Sequence, residues 1–361
     1  MSLRLAILGA TGSVGQAIAA HVLRSRLLRP GDRLQLVGRD TEEARRHLFG
    51  LAIDLQDAFD DLHVPIEIAG GLDQVEADMV VVAAGETVSP DRTTRQQLGD
   101  VNAPLFEHIG RICGARLPDA LFVVVSNPVE LAVTILARHI DRHRVIGMGA
   151  QQDSLRFARA IAARLGLCRH DVEAMAVGEH GGAMVPLWSR VRLVGHARAR
   201  TDLQAALDAL RAEAVLQPLA ERVAALRETV SREFHAGRVA AAYEATARAL
   251  PDERIFVEPF LTTWCVHSTA QATANATLQM IAAASGRHAP HLNGQVLLDG
   301  ETLGIVGVCG LPVRLDRTGW TLDDPERFDH AEQAMIRDSA DAIARFIAGI
   351  AALPDQEAGP A

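Results

Sequence analysis

The chain of 361 residues has 48% hydrophobic residues, 22% charged residues and a formal charge of −9 at pH 7. This length and hydrophobic share suffice for a large core and suggest two domains. The acidic balance and the lack of a basic run argue against nucleic acid or an anionic membrane as a partner. The apolar runs are too short for a membrane span and no signal-peptide pattern is visible, so we expect a cytoplasmic protein.

The four cysteines lie far apart and form no C-x-x-C pair, so we expect reduced, buried thiols. They are Cys113, Cys168, Cys265 and Cys309. Several histidines of the second half show no spacing typical of metal ligands, and we expect no metal ion. These histidines are His235, His267, His288 and His291.

The first part of the chain alternates short apolar runs with amphipathic stretches. Strands are predicted at Leu3–Leu8, Arg33–Val37, Ile66–Ala69, Met79–Ala83, Leu121–Val125 and Val145–Ile146. Helices are predicted at Val14–Leu27, Glu42–Phe59 and Thr94–Cys113. Because the strands lack a two-residue alternation, both faces of their sheet should be buried. The pattern predicts a parallel α/β sheet in a first domain over residues 1–147.

The second part, residues 148–353, mixes helices and strands less regularly and is predicted as a second domain. Helices are predicted at Ser154–Leu165, within Leu203–Leu250, and at Thr269–Ala284 and Pro325–Ala351. Strands are predicted at Val172–Val177, Gln295–Leu298, Gly304–Cys309 and Val313–Leu315. Pro251–Arg254 is predicted as a loop, and Asp323–Glu326 is typical of an acidic helix start. Residues 354–361 are expected to form a flexible tail.

A glycine-rich turn follows the first predicted strand and opens the first predicted helix. It contains Gly9, Gly12, Ser13, Val14 and Gly15. Glycines let the backbone approach a pyrophosphate, and a helix N-terminus offers amide donors and positive potential. In an alternating α/β half, this turn predicts a Rossmann-type domain that binds a dinucleotide. A tight strand–helix turn without a ligand is the alternative.

The end of the second predicted strand bears on which dinucleotide binds. An acid there holds the ribose 2′-hydroxyl of NAD, whereas an arginine accommodates the 2′-phosphate of NADP. The deciding position falls on Gly38, with Arg39 next to it. We therefore expect NADP ahead of NAD. A shift by one residue would put the Asp40 carboxylate on the ribose and favour NAD.

An acid, an arginine and a histidine follow the first domain in that order. Asp153 and Arg156 lie in a predicted helix start, and His180 lies in a glycine-flanked turn after a predicted strand. An aspartate that accepts from one imidazole nitrogen fixes the tautomer of the ring. The planar fork of an arginine matches a carboxylate. Together the three residue types predict a proton-transfer site that also holds a carboxylate.

In this order, the glycine turn and the acid–arginine–histidine set resemble the lactate/malate dehydrogenase family. They are most similar to its archaeal malate-dehydrogenase-like branch, which also has Gly-Arg after the second strand. The similarity extends from Leu3 to about Ala351, with additional residues mostly between His196 and Glu258. The resemblance implies a Rossmann-type cofactor domain, a mixed α/β catalytic domain and a homodimer or homotetramer.

The resemblance also implies roles for single residues. His180 matches the catalytic histidine that exchanges a proton with the substrate oxygen, and Asp153 matches its orienting partner. Arg156 matches the arginine that binds the substrate carboxylate, and Thr269 matches a threonine of the substrate pocket.

Three further residues match family positions around the nicotinamide and the lid. Asn127, in Ser126-Asn127-Pro128, matches an asparagine that bonds the substrate oxygen and helps to seat the nicotinamide. Arg95 matches the mobile-loop arginine that polarises the carbonyl, and Asn102 matches a cofactor-side asparagine downstream of it.

The chain departs from the family pattern in two places. Gly182 and Ala183 replace an acid and a small polar residue, so some polar support beside the histidine is missing. The lid, Gly85–Arg95, is one residue longer than usual, and the position that reads the substrate tail carries no cation. Arg92 is its spare cation. If Arg92 reaches the pocket, the substrate is malate; otherwise the pocket prefers a neutral or different tail.

The expected function is interconversion of a small L-2-hydroxy acid and its 2-keto acid with NAD(P), with malate/oxaloacetate as the first expectation. Lactate or another 2-hydroxy acid is the alternative within the family. Two other classes are an NAD(P)-dependent glycoside hydrolase, which needs a metal site, and a dinucleotide-binding protein without turnover.

Overall fold

The computed structural model describes residues 2–87, 94–266, 268–288, 291–323 and 328–350. Within these ranges the chain forms eleven α-helices and eleven β-strands. The strands are β1 (Arg4–Leu8), β2 (Arg33–Val37), β3 (Ile66–Ala69), β4 (Met79–Val82), β5 (Leu121–Val124), β6 (Val145–Gly147), β7 (Val172–Gly178), β8 (Met184–Leu193), β9 (His291–Asp299), β10 (Val306–Asp316) and β11 (Gly319–Leu322). The helices are α1 (Ser13–Arg24), α2 (Glu42–Phe59), α3 (Arg95–Arg116), α4 (Val129–Leu136), α5 (Gly149–Leu165), α6 (Thr201–Ala214), α7 (Leu219–His235), α8 (Val239–Arg248), α9 (Pro251–Val266), α10 (Ala270–Ala284) and α11 (His330–Ala348). None of these helices combines the length and apolarity needed to cross a bilayer.

The strands join one sheet in the order β3-β2-β1-β4-β5-β6-β9-β10-β7-β8, with β11 paired to β10. Strands β1 to β6 pair in parallel, in the order of a Rossmann-type sheet. The remaining pairs are antiparallel, and the two parts meet where Gly147 pairs with Gln295. The predicted fold class, a parallel Rossmann-type part followed by a mixed α/β part, is confirmed.

Three apolar clusters hold the sheet and its helices together. Successive residues of β1 face opposite sides of the sheet, so Leu5 joins one cluster and Ala6 joins the other. A third cluster packs α5 against α6 to α9, with Phe157, Val230 and Phe256 buried in it. The additional residues predicted between His196 and Glu258 therefore share a core with the helix that carries Asp153.

The structure corrects several predicted element boundaries. Asp153 does not lie at a helix start, because α5 begins at Gly149 and Asp153 is already inside it. Pro251–Arg254 is not a loop but the first turn of α9, where proline costs nothing since its missing N–H would have no helical partner. The predicted strands at 304–309 and 313–315 are parts of one strand, β10.

The last helix and the tail also differ from expectation. Helix α11 begins at His330, behind a capping box formed by Asp329 and Glu332, and not at the predicted Pro325. Residues 324–327, which include most of the predicted acidic first turn, lie outside the described residues, and so does the predicted tail. Strand β8 was not predicted.

All four cysteines are free, as expected, but only two are buried. Burial raises the pKa of Cys113 to about 11 and that of Cys309 to about 12. Cys168 and Cys265 are exposed, so the expectation of burial is wrong for both. Cys265 lies in the last turn of α9, and Cys168 lies just beyond the end of α5.

Candidate functional site

The glycine-rich turn joins β1 to α1 and brings two backbone segments into close contact. Gly9 has φ +82°, and a Cβ there would lie 2.7 Å from the Ala83 carbonyl oxygen. This position therefore requires glycine. Gly12 and Ser13 are exposed, and no described side chain caps the N-terminus of α1 after Gly12. The first amides of α1, including those of Val14 and Gly15, are thus available to an anion such as a pyrophosphate.

Two charged residues, Arg39 and Asp40, follow the end of β2. The carboxylate of Asp40 is engaged by an ion pair with Arg45. Arg39 is exposed, and its guanidinium makes no hydrogen bond or ion pair with a described residue. A Cβ on Gly38 would lie 3.1 Å from Leu48 Cδ1, so a larger side chain would press on α2. The charged groups that follow β2 are therefore an exposed arginine and an acid already paired with Arg45.

The predicted acid, arginine and histidine converge on one carboxylate. His180 Nδ1 lies 2.6 Å from Asp153 Oδ2, and Arg156 Nη1 donates to Asp153 Oδ1 at 3.0 Å. Arg156 Nη2 donates to Thr269 Oγ1 at 3.3 Å, so Thr269 also lies where the sequence places it. Asp153 is only 3% exposed, which excludes water from this contact. The structure thus joins α5, the β7–β8 turn and the start of α10 in one site.

Asp153 is held as a carboxylate. Burial acts to raise the pKa of Asp153, but the charges and hydrogen bonds of His180 and Arg156 outweigh burial and lower it. Because an ionised carboxylate can only accept, Nδ1 of His180 carries the hydrogen and Nε2 is left for a reacting group. The arrangement can therefore pass a proton at Nε2.

Gln152 ties the site to α10 and was not predicted. Its Nε2 donates to Thr269 Oγ1 and to Thr273 Oγ1, each at 3.3 Å. The start of α10 also touches the glycine turn, since Ser13 Oγ and Ser268 Oγ are 3.3 Å apart. The dinucleotide end and the proton-transfer end therefore meet at one loop. Polar residues at 151 and 152, inside the first turn of a buried helix, were the signal that could have identified Gln152.

A second network lies behind His180 and contains the predicted Arg95. Glu130 is fully buried, and its Oε1 accepts the main-chain N–H of His180 at 2.6 Å. Its other oxygen forms an ion pair with Arg95, which also pairs with Glu179. The guanidinium of Arg95 lies 4.4 Å from the centroid of the Phe346 ring. Arg95 thus lies beside the β7–β8 turn, which carries His180, and Glu130 and Glu179 balance its charge.

Glu130 and Glu179 were missed as functional residues. Glu130 stands in the otherwise apolar helix Val129–Leu136, and a lone acid in such a helix requires a buried partner. Glu179 accepts the main-chain N–H of Ala183 at 2.7 Å and shapes the turn after His180. This carboxylate supports the turn in which Gly182 and Ala183 replace the usual polar residues.

The two predicted asparagines lie next to each other at the carboxyl ends of β4 and β5. Asn102 is buried; its Nδ2 donates to the Asn127 carbonyl oxygen at 2.8 Å and to the Glu86 carbonyl oxygen at 3.0 Å. Asn127 is exposed and precedes a cis peptide bond to Pro128. Its side chain makes no hydrogen bond with a described residue, so it is available to a ligand. Arg92, the remaining predicted site residue, lies outside the described residues.

Comparisons with known proteins agree with this architecture. Residues 3–147 match the family model of the lactate/malate dehydrogenase NAD binding domain. Among curated proteins, the chain is 33% identical over 199 residues to the malate dehydrogenase of Natronomonas pharaonis, covering 53% of this chain and 62% of that protein. It is 36% identical over 198 residues to L-lactate dehydrogenase B of Hordeum vulgare, covering 53% of this chain and 54% of that protein. The matched part thus spans about three fifths of the length of the first relatives.

Solved structures show the same fold over nearly the whole chain. The malate dehydrogenase of Aeropyrum pernix superposes with a TM-score of 0.73 at 20% identity, covering 95% of this chain and 97% of that chain. The minor L-lactate dehydrogenase of Enterococcus mundtii superposes with a TM-score of 0.72 at 21% identity, covering 97% and 98%. Residues 3–147 therefore match the NAD binding domain of the lactate/malate dehydrogenases, and the predicted resemblance to that family is confirmed for this part of the chain.

Proposed function

We propose that the protein is an NAD(P)-dependent oxidoreductase that interconverts a small L-2-hydroxy acid and its 2-keto acid. The observation that carries the proposal is the 2.6 Å contact of His180 Nδ1 with Asp153, whose other oxygen holds Arg156. A proton-transfer group and a carboxylate-binding group are thereby fixed relative to each other. A dinucleotide-binding protein without turnover would have no use for this pair.

The residues divide the chemistry between them. When bound, the nicotinamide dinucleotide supplies or takes up the hydride. His180 Nε2 gives a proton to the substrate oxygen during reduction and removes it during oxidation. Arg156 binds the substrate carboxylate, and Asp153 balances the charged imidazole. Thr269 lines the pocket beside Arg156, with which it shares a hydrogen bond.

Asn127, Asn102 and Arg95 are proposed to complete the site. Asn127 bonds the substrate oxygen and helps to seat the nicotinamide, and Asn102 holds its main chain in place. Arg95 polarises the carbonyl after exchanging one of its carboxylate partners, Glu130 or Glu179, for the substrate. In this proposal Asn127 and Asn102 need no rearrangement when substrate binds, whereas Arg95 must first give up one of its two carboxylate partners.

We test the activity by following the absorbance of the reduced nicotinamide with oxaloacetate, pyruvate and sulfopyruvate, each with NADH and NADPH. At least one pair should be oxidised, and His180→Asn should lower kcat about 10²–10⁴-fold because the proton donor is lost. His108→Asn, at an exposed position of α3, is the matched control and should keep wild-type activity. No cofactor oxidation with any 2-keto acid would exclude a dehydrogenase of this class.

Malate/oxaloacetate is the proposed substrate pair, with lactate/pyruvate as the alternative. Malate dehydrogenases from three haloarchaea stand among the matched relatives, at 32–33% identity. A second substrate carboxylate needs a cation, and Arg92 is the candidate. Arg92→Ala should abolish oxaloacetate turnover and spare pyruvate. Equal loss for both substrates would show that Arg92 does not read the substrate tail.

The matched family model describes an NAD binding domain, and we propose NADP as the preferred form of the dinucleotide. The exposed Arg39 and the ion pair that engages Asp40 support this preference. Arg39→Ala should raise the KM for NADPH at least tenfold and leave that for NADH within twofold. The same change for both cofactors would contradict it.

The remaining expectations stay predictions. They are the division into domains at residues 147/148, a cytoplasmic location and a homodimer or homotetramer. The one sheet that spans both parts is compatible with two domains that share it. Sedimentation equilibrium would determine the oligomeric state, and a single sedimenting species of monomer mass would exclude both oligomers.

A further inference from the structure

A cluster of metal-ligand residue types lies on two turns that the oxidoreductase chemistry does not use. Cys168, His170 and Asp171 belong to the turn between α5 and β7, and one potential ligand atom from each lies within 4.8 Å of the others. His196 belongs to the turn between β8 and α6. Its Nδ1 lies 3.5 Å from Asp171 Oδ1, so a fourth ligand type joins the set.

Hydrogen bonds build the first turn around its acid. The main-chain N–H of Cys168 donates to Asp171 Oδ2 at 3.2 Å, and that of Asp171 donates to the Cys168 carbonyl oxygen at 3.0 Å. Val194 N donates to the Asp171 carbonyl oxygen at 2.9 Å, which ties the segment before His196 to this turn. Asp171 is 3% exposed, so its carboxylate is held in a buried position between the two turns.

The free oxygen of this carboxylate faces two imidazoles. Oδ1 of Asp171 lies 3.7 Å from His170 Nε2 and 3.5 Å from His196 Nδ1, and it accepts no hydrogen bond from a described residue. Two atoms that share a tetrahedral zinc ion at ordinary Zn–N and Zn–O lengths stand about 3.4 Å apart. The two spacings from Asp171 Oδ1 are therefore close to those of ligands around one ion. The imidazoles are largely exposed and can turn toward it.

The donor set selects the kind of metal. One thiolate, two imidazoles and one carboxylate are typical ligands of zinc-like ions, whereas magnesium and calcium prefer oxygen atoms alone. We propose that Cys168, His170, Asp171 and His196 form a tetrahedral site for a zinc-type divalent cation. This proposed site departs from the expectation that the chain binds no metal ion.

The position of the site indicates a structural role. It lies beyond the far end of α5, and the rise of about 1.5 Å per residue places about 13 Å between Arg156 and Leu165 alone. The ion would join the turn after α5 to the turn that leads into α6, the first of the additional helices. It holds no group near His180, so its removal should change stability and not turnover.

Cobalt substitution tests the site without reference to activity. The chelator-treated, dialysed chain is titrated with Co²⁺, and we expect one ion per chain with a thiolate-to-cobalt absorption band that Zn²⁺ displaces. Cys168→Ser should abolish the band and His196→Ala should weaken binding at least tenfold. Cys265→Ser, at the other exposed cysteine, is the matched control and should bind like the wild type. A wild-type chain without the band, or a Cys168→Ser variant that keeps it, overturns the site.

Thiol labelling of the unaltered chain gives an independent measurement that needs no variant. Both exposed cysteines should react with iodoacetamide after chelation, and added Zn²⁺ should slow the labelling of Cys168 at least tenfold because a bound thiolate is protected. Cys265 should react at an unchanged rate in both conditions. Equal rates at Cys168 with and without Zn²⁺ overturn the proposal.

Discussion

Asp153 is the residue on which the site depends, because it serves His180 and Arg156 at once. A neutral amide at this position could still accept one hydrogen bond but would leave two cationic groups without their carboxylate. The pKa of Asp153 is lowered because His180 and Arg156 stabilise its charged form in the folded state. The proposed proton transfer and the stability of the fold therefore both depend on the negative charge of Asp153.

The pH dependence of stability should reveal that charge. A carboxylate with a lowered pKa stabilises the folded state above its ordinary pKa of 3.8, and this contribution is lost as the pH falls through the folded value. Asp153→Asn should thus lower Tm at pH 7, and the gap to the wild type should narrow toward about pH 3. Thermal unfolding followed by circular dichroism across this range measures the gap. A gap that stays constant or widens in acid would contradict the assignment.

Among the secondary-structure elements, α3, α4 and the β7–β8 turn depend on Glu130. Its carboxylate joins Arg95 at the start of α3 to the main chain of His180. Since Glu130 is fully buried, its loss would leave the main-chain N–H of His180 without an acceptor and Arg95 with Glu179 as its remaining carboxylate partner. We infer that Glu130 positions the β7–β8 turn, which carries His180, without contacting the substrate.

Glu130→Ala should destabilise the fold by about 1–3 kcal/mol, because the main-chain N–H of His180 loses its acceptor while Arg95 keeps Glu179. Glu130→Gln should recover part of this loss, because an amide oxygen can still accept from His180. Urea denaturation measures both variants, with Glu42→Ala as the control, since the Glu42–Arg46 pair is exposed and should contribute little. If Glu130→Ala and Glu42→Ala unfold at the same urea concentration, Glu130 has no such role.

The elements also explain how far the sequence could predict the structure. Strands β1, β4 and β5 were predictable because they are almost continuous apolar runs, and α2 because Thr41 caps a clear amphipathic helix. Helix α5 begins earlier than predicted because buried polar groups such as Gln151 and Gln152 bond to partners distant in sequence. Glu130 was missed for the same reason: its partners come from α3 and the β7–β8 turn, which local periodicity does not reveal.

Over the whole molecule, one sheet carries both the dinucleotide edge and the proton-transfer site. Within its antiparallel part, two strands approach closely through their backbones where Gly310 of β10 pairs with Gly178 of β7. His180 follows Gly178 by two residues, so the position of its ring depends on this junction. A Cβ on Gly310 would lie 2.5 Å from the Gly178 carbonyl oxygen and 3.1 Å from Ala150 Cβ. No side chain fits between the strands at this point.

Gly310→Ala should therefore push β7 away from β10, destabilise the fold by about 1–3 kcal/mol through overpacking and lower kcat by displacing His180. Gly50→Ala is the matched control, because nothing lies within 4 Å of a Cβ there. In the exposed interior of α2 that exchange should stabilise the fold by about 0.5–1 kcal/mol. Urea denaturation and reduced-nicotinamide absorbance measure the two effects on each variant. Wild-type stability and turnover in Gly310→Ala would show that the junction can widen without moving the histidine, and the site would then be held by Glu130 and Asp153 alone.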